Sequence, residues 1–177
     1  MTTPTTIRAL DPAQDNDVVR FRELRLLGLQ DTPEAFGASW AEERAENHDF
    51  FRERLSLDHG RFVLGAFQED ALVAVVGMFR RPSAKVRHRG NIWGMYVHPD
   101  ARRQGLGRAI LEAAIERARH IDGLELLALG VGSDNRAATR LYEDVGFQSA
   151  GIEPRGLKVE GRYVDEHRMV LMFEGMS

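Results

Sequence analysis

The sequence predicts an α/β fold in which short apolar strands alternate with amphipathic helices. Three observations carry this. Residues 62–67 and 71–79 are β-rich apolar runs, residues 105–120 carry a helical stripe, and residues 124–131 form a nearly continuous apolar run that suits a strand covered on both faces. With 177 residues and a mass of 20.0 kDa, one domain spanning residues 1–177 is expected. Hydrophobic residues at 43% and charged residues at 29% are ordinary globular usage, enough for a packed core.

In chain order, residues 7–10 read as a strand. Residues 17–30 place Val18, Phe21, Leu24 and Leu27 at helical spacing. Pro33 and Gly37 interrupt that helix in a candidate active-site loop, and a second helical region falls within residues 39–57. The two apolar runs that follow, separated by Gln68, Glu69 and Asp70, read as a hairpin. Residues 80–90 hold Arg80, Arg81, Lys85, Arg87 and Arg89, which suit a solvated hairpin tip or a patch for phosphate or an acidic partner. Strand character returns at residues 91–97 and stops at His98-Pro99-Asp100, because proline cannot donate to a sheet ladder. Ile110, Leu111, Ala114, Ile115 and Ala118 then repeat at helical spacing. After the run at 124–131, Ser133 or Asp134 can cap a helix whose stripe Ala138, Leu141, Tyr142 and Val145 ends at Gly146. Residues 147–152 and 163–173 close the chain as two strands joined by a connection containing Pro and Gly.

Charge and composition exclude several function classes. Lys plus Arg number 24 and Asp plus Glu 27, a net charge of -3, so no general attraction to nucleic acid or an anionic membrane is expected. The chain has no cysteine, which removes disulfides, thiolate zinc sites and covalent catalysis through a thiol. The six histidines fall in no spacing with carboxylates that suggests a metal site. Residues 1–11 lack the pattern of a secretory leader, and no apolar run is long enough to span a membrane, so a cytoplasmic setting is expected.

The segment most suited to ligand chemistry is the strand, turn and helix of residues 91–117. Arg102-Arg103-Gln104-Gly105-Leu106-Gly107-Arg108 brings unpaired backbone amides to a helix start, where the dipole is positive and an anion such as a phosphate or pyrophosphate can bind. It is not a P-loop, which needs Lys and then Ser or Thr after its last Gly. Nor is it a Rossmann fingerprint, because Ile110 stands where the third Gly or Ala belongs.

Tyr96-Val97-His98-Pro99-Asp100 followed by residues 102–107, and then Asn135 with Leu141-Tyr142-Glu143-Asp144-Val145-Gly146-Phe147, resembles the GNAT superfamily of acyl-CoA-dependent N-acetyltransferases over nearly the whole chain. The resemblance implies a mixed, mostly antiparallel sheet of six or seven strands, flanked by about four helices. The sheet would splay between the strands of residues 91–97 and 124–131. Acetyl-CoA would lie in that split, its pantetheine arm pairing with the backbone of Met95, Tyr96 and Val97 beside a strand bulge. Its pyrophosphate would rest on the loop of Arg102, Arg103, Gln104, Gly105, Leu106, Gly107 and Arg108. By the same resemblance Asn135 would contact the cofactor, and Tyr142 would be the general acid.

Those roles agree with elementary chemistry. A backbone N–H near Met95 would stabilise the oxyanion formed when an amine attacks a thioester. A phenol of ordinary pKa about 10 stays protonated at neutral pH and can protonate the departing thiolate. Without a cysteine to carry the acetyl group, transfer is expected to be direct, in a ternary complex. The base is open: some family members carry a carboxylate where this chain has Asn91, leaving Glu42, Glu43, Asp165, Glu166 or water. Glu34, Phe36, Trp40, Glu42 and Glu43 would suit a cationic amine acceptor, or simply a helix surface. The rival readings are an acyl-CoA-binding sensor without turnover and a nucleotide-binding protein that uses the same glycine loop. A C-terminal edge strand is suited to pairing in a homodimer.

Overall fold

A computed structural model describes residues 4–58 and 60–173; Met1 to Thr3, which begin the N-terminal stretch read above, lie outside the described residues, as do His59 and residues 174–177. The elements run β1 (Thr5–Ala9), α1 (Asp15–Asp31), α2 (Trp40–Glu43), α3 (His48–Arg54), β2 (Arg61–Gln68), β3 (Ala71–Arg80), β4 (Arg89–Val97), α4 (Leu106–Arg119), β5 (Leu126–Gly132), α5 (Arg136–Asp144), β6 (Gln148–Val159) and β7 (Arg162–Met172). Short 3-10 turns occupy Pro33–Ala35 and Pro99–Ala101. The strands form one seven-stranded sheet in the order β1-β2-β3-β4-β5-β7-β6. Every neighbouring pair is antiparallel except β4 and β5. This is the α/β architecture expected, with the larger of the two anticipated strand numbers. Among the described residues five α-helices replace the four anticipated.

The apolar runs of β2 and β3 are continuous because both faces of the sheet are covered. Phe62, Leu64, Ala66, Val76, Met78 and Ile92 point to one side, against Ile110, Leu111, Ala114 and Ala118 of α4. Val63, Phe67 and Val75 point to the other, against Val18, Phe21 and Leu24 of α1 and Phe51 of α3. The residues predicted to form the α4 stripe are buried as predicted. No helix among the described residues is long and apolar enough to cross a membrane.

Three local expectations change. The second helical region is two short helices, because Asn47 accepts a hydrogen bond from the Phe50 N–H and starts α3 anew. The cap of α5 is Asn135, not Ser133 or Asp134. The Ser133 N–H is held by the Asp165 carbonyl at 2.8 Å, and Asp134 pairs with Arg162 at 3.3 Å. The connection expected between the last strands is itself mostly strand, since Pro154 and Gly156 are absorbed in an irregularity between Glu153 and Leu157. The reversal is the two-residue turn Glu160-Gly161, both with positive φ.

Two ionic contacts anchor α1. Asp17, 2% exposed, accepts two hydrogen bonds from Arg8 at 2.6 and 2.8 Å and one from the Asp11 N–H. Arg8 beside it holds its carboxyl below the usual range, although burial opposes this. Deeper in, Arg25 at 5% exposure forms a two-point pair with Glu43 at 3% exposure, both contacts 2.6 Å, and Arg54 approaches the same carboxylate at 3.1 Å. These charges tie α1, α2 and α3 together where apolar side chains alone would leave them free to slide.

Glu43→Gln leaves the buried Arg25 and the half-buried Arg54 without their anion and is expected to cost about 3–5 kcal/mol. A urea unfolding midpoint unchanged from the parent would contradict that account.

Candidate functional site

The site begins where β4 and β5 part. Their parallel pairing joins only Arg89 to Leu126, Gly90 to Leu127 and Asn91 to Ala128, yet β4 continues to Val97 and β5 to Gly132. From Ile92 onward the β5-facing edge of β4 has no strand partner. A bulge opens the other edge: Val75 pairs with Tyr96 and Gly77 with Trp93, so Gly94 and Met95 together oppose Val76. Gly94 makes the bulge at φ +60, a left-handed conformation that costs glycine little. The bulge inferred near Met95 is therefore present, and the fork lies between the two strands expected to splay.

The fork widens into a cleft of about 520 Å³. Met95, Tyr96 and Val97 form its β4 wall, Asn135, Leu141 and Tyr142 line it from α5, and Arg102, Arg103, Gly105, Leu106, Gly107 and Arg108 lie at the start of α4. The N-cap of α4 is Gly105 at φ +77, with no side chain to satisfy the first turn, so the amides of Leu106, Gly107 and Arg108 are available to an anion. The cleft thus gathers every residue predicted for it except Gln104, whose side chain bonds to Gln68 at 3.0 Å. Arg102 lines the cleft, but its guanidinium is held by Asp31 and by the Val97 carbonyl, which fixes the loop against the end of α1.

Tyr142 is 9% exposed and packs edge-on against Phe147 at 5.9 Å. Burial pushes its phenol up to about 12. Among the described residues the hydroxyl reaches only the Met95 sulfur, at 3.7 Å, a weak acceptor that leaves the proton available to a stronger one. Asn135 uses Oδ1 to cap α5, through the Ala138 N–H at 3.1 Å, and its Nδ2 has no protein acceptor among the described residues. Tyr96 is instead structural: its hydroxyl donates to Asp31 at 2.9 Å, and burial together with that bond raises it to about 12.

The proposed bases fare differently. Glu43 is consumed by Arg25 and Arg54, and Glu42 closes a capping box with Ser39 on the surface. Asp165 accepts from the Arg155 N–H at 2.7 Å. Glu166 is 17% exposed and stands over Gly130, where a Cβ would meet its Oε1 at 2.8 Å; Gly130 lines the narrow end of the fork. Phe36, Trp40 and Glu42 share a groove of about 720 Å³ with Leu157 and Lys158 of β6, whereas Glu34 and Glu43 do not line it. The basic loop at 81–88 sits at the closed end of the fork, where the His88 carbonyl accepts from Glu125 and Leu126, so the phosphate-patch reading does not extend to this cleft.

Thr32 and Ala35 also border the cleft, from the loop marked by Pro33 and Gly37. Gly94 and Gly130 escaped sequence reading because an isolated glycine within a strand signals only a bulge or a close approach. Among the described residues, no group of three or more His, Asp or Glu side chains could hold a metal ion.

Residues 25–147 match the model of the Acetyltransferase (GNAT) family. The chain is 27% identical over 138 residues to the spermidine N(1)-acetyltransferase of Vibrio cholerae, covering 75% of this chain and 78% of that protein. It is 34% identical over 80 residues to the L-amino acid N-acyltransferase MnaT of Escherichia coli, covering 45% and 46%. A solved GNAT-family acetyltransferase of Streptococcus pneumoniae superposes with a TM-score of 0.80 at 25% identity, over 96% of this chain and all of that one. The Salmonella typhimurium yncA structure, solved with its cofactor acetyl-CoA, shares the fold at a TM-score of 0.82 and 24% identity, covering 98% and 96%.

Because Tyr96 and Tyr142 have raised folded-state pKa values, the stability they contribute is complete below about pH 10 and is lost as pH rises towards about 12. Phenolate absorbance should therefore show Tyr96 and Tyr142 ionising late, towards about pH 12; ionisation of either near pH 10, assigned through its Phe variant, would refute this.

Proposed function

The chain belongs to the acetyltransferase (GNAT) family, and we propose that it transfers an acetyl group directly from acetyl-CoA to a primary amine in a ternary complex. The observation that carries this reading is the continuity of one cleft, from the unpaired amides of α4, along the free edge of β4, to the buried Tyr142 hydroxyl. The fit to acetyl-CoA rests on the same features. Leu106, Gly107 and Arg108 offer donors to the pyrophosphate, the unpaired β5-facing edge of β4 offers backbone groups to the pantetheine amides, and Asn135 offers a free Nδ2. Acetyl-CoA, when bound, supplies an activated acyl group.

This chain's residues then do the rest. The Met95 backbone N–H donates to the thioester oxygen as negative charge gathers there. As the amine nitrogen bonds to the acyl carbon and the C–S bond breaks, Tyr142 gives its proton to the leaving thiolate and later regains one from solvent. Of the four carboxylates considered, Glu166 best suits the acceptance of the amine's proton, because it stands over Gly130 at the fork and its contact to Arg168, at 3.4 Å, is the loosest of the four. Glu43 is buried in an ion pair, Glu42 is engaged by Ser39 and Asp165 by Arg155. A cytoplasmic setting, a single domain and a homodimer built on the outer edge of β6 belong to the same proposal.

Free-thiol release from acetyl-CoA across polyamines, amino acids and peptides tests the reading, which predicts release that depends on one acceptor class. Tyr142→Phe should lower kcat by about 10²–10⁴-fold while preserving acetyl-CoA affinity. Retention of full turnover would remove Tyr142 from the mechanism, and absence of turnover in the parent with intact binding would favour the sensor. Gly105→Ala, which forces a side chain into a left-handed conformation at the helix start, should weaken acetyl-CoA binding in a calorimetric titration.

A further inference from the structure

At the narrow end of the fork, each wall contains a glycine that opens onto a charged side chain. Gly94 of β4 and Gly130 of β5 line the same cavity of about 90 Å³. A Cβ on Gly94 would lie 3.2 Å from Arg25 Nη1; one on Gly130 would lie 2.8 Å from Glu166 Oε1 and 2.7 Å from Arg168 Nη1. Both walls therefore bring ionic groups up to the backbone at the point where side chains have been dispensed with.

The two walls carry opposite charge. Behind Gly94, two guanidiniums, Arg25 and Arg54, share the carboxylate of Glu43, leaving one positive charge in excess within ion-pair distance, while Glu46 acts on Arg54 from outside it. Arg25 is 5% exposed and held between Phe36 and Trp93, at 5.6 and 5.4 Å. Its Nε and Nη2 are bound to Glu43, but Nη1 has no acceptor among the described residues. Over Gly130 the balance reverses. Arg168 pairs with Glu153 at 2.5 Å and with Glu166 at 3.4 Å, two carboxylates for one guanidinium. A nearly buried guanidinium with an unanswered donor calls for an anion, and the opposite wall calls for a cation.

We infer that the acceptor is a zwitterion of the α-amino acid class, its carboxylate received by Arg25 Nη1 and its ammonium by Glu166. This rests on the acetyltransfer reading above and narrows it. A polyamine would bring positive charge to a wall already in excess of it and leave Nη1 unanswered. The groove containing Phe36 and Trp40 is suited to an apolar or aromatic side chain of the acceptor. Glu166 thereby acquires a second role, orienting the amine whose proton it accepts.

The test uses the parent enzyme and acetyl-CoA, reading thiol release with L-methionine, L-leucine and L-phenylalanine, with the carboxamide of each, with the amine left when each carboxyl group is removed, and with spermidine. The amino acids should exceed their amides and decarboxylated amines in kcat/KM by about ten- to a hundredfold, the weight of a charge-assisted hydrogen bond. Equal or better use of the amides, the amines or spermidine would overturn the zwitterion while leaving acetyltransfer intact. Absence of release with every acceptor would overturn acetyltransfer and the inference with it. Arg25→Lys, which retains the charge but loses the fork of donors, should reduce the acid-to-amide ratio at least about fivefold. That ratio is insensitive to partial unfolding, which scales both rates alike; an unchanged ratio would exclude Arg25.

Discussion

Everything at the site depends on the separation of β4 from β5. Parallel strands ordinarily stay paired over their shared length, because each lost ladder bond leaves a donor and an acceptor unanswered. Here the ladder ends after Asn91 and Ala128, and the two strands diverge with a gap between them. Two features make the separation tolerable. The bulge at Gly94 and Met95 breaks the register of β4 with β3, and a bulged strand bends locally. β5 finds a full-length antiparallel partner in β7, from Leu126 with Met172 to Gly132 with Glu166. The unpaired edge of β4 is then a row of hydrogen-bonding groups suited to an extended amide-containing chain.

The helices hold the gap open and furnish its ends. α4 starts at Gly105 with unpaired amides beside β4, and α5 starts at Asn135 beside β5, so both helix N-termini border one cleft. Tyr142 lies on the buried face of α5, two turns from the cap, where packing against Phe147 and burial keep its phenol neutral far above physiological pH. On the other face of the sheet, Arg25, Glu43 and Arg54 do what apolar packing does elsewhere, fixing α1 relative to α2 and α3 beneath the bulge. That cluster holds the helical layer in place behind Gly94.

Much of this was legible in the sequence, because the information was local. The α4 stripe follows from a 3.6-residue period, the uncapped start of α4 from glycines ahead of that stripe, and the halt of β4 from Pro99. The Met95, Val97 and Tyr142 positions entered through a resemblance carried by short motifs, and the geometry brings those side chains to one cleft. The extension of β6 through Pro154 was not legible, because an irregular pairing with β7 accommodates a residue that local rules assign to a connection.

Composition, periodicity and turn chemistry therefore determined the order of strands and helices, the absence of thiol chemistry and the glycine loop that starts α4. These depend on neighbours within a few residues in the chain. Tertiary structure alone decided how each carboxylate is engaged. Glu43 lies 18 residues from Arg25, and the two meet only because α2 folds back across α1. Glu166 stands over Gly130 only because β7 pairs with β5. Charge balance in a cleft is a sum over groups distant in sequence, and only the assembled fold brings those charges within reach of one another.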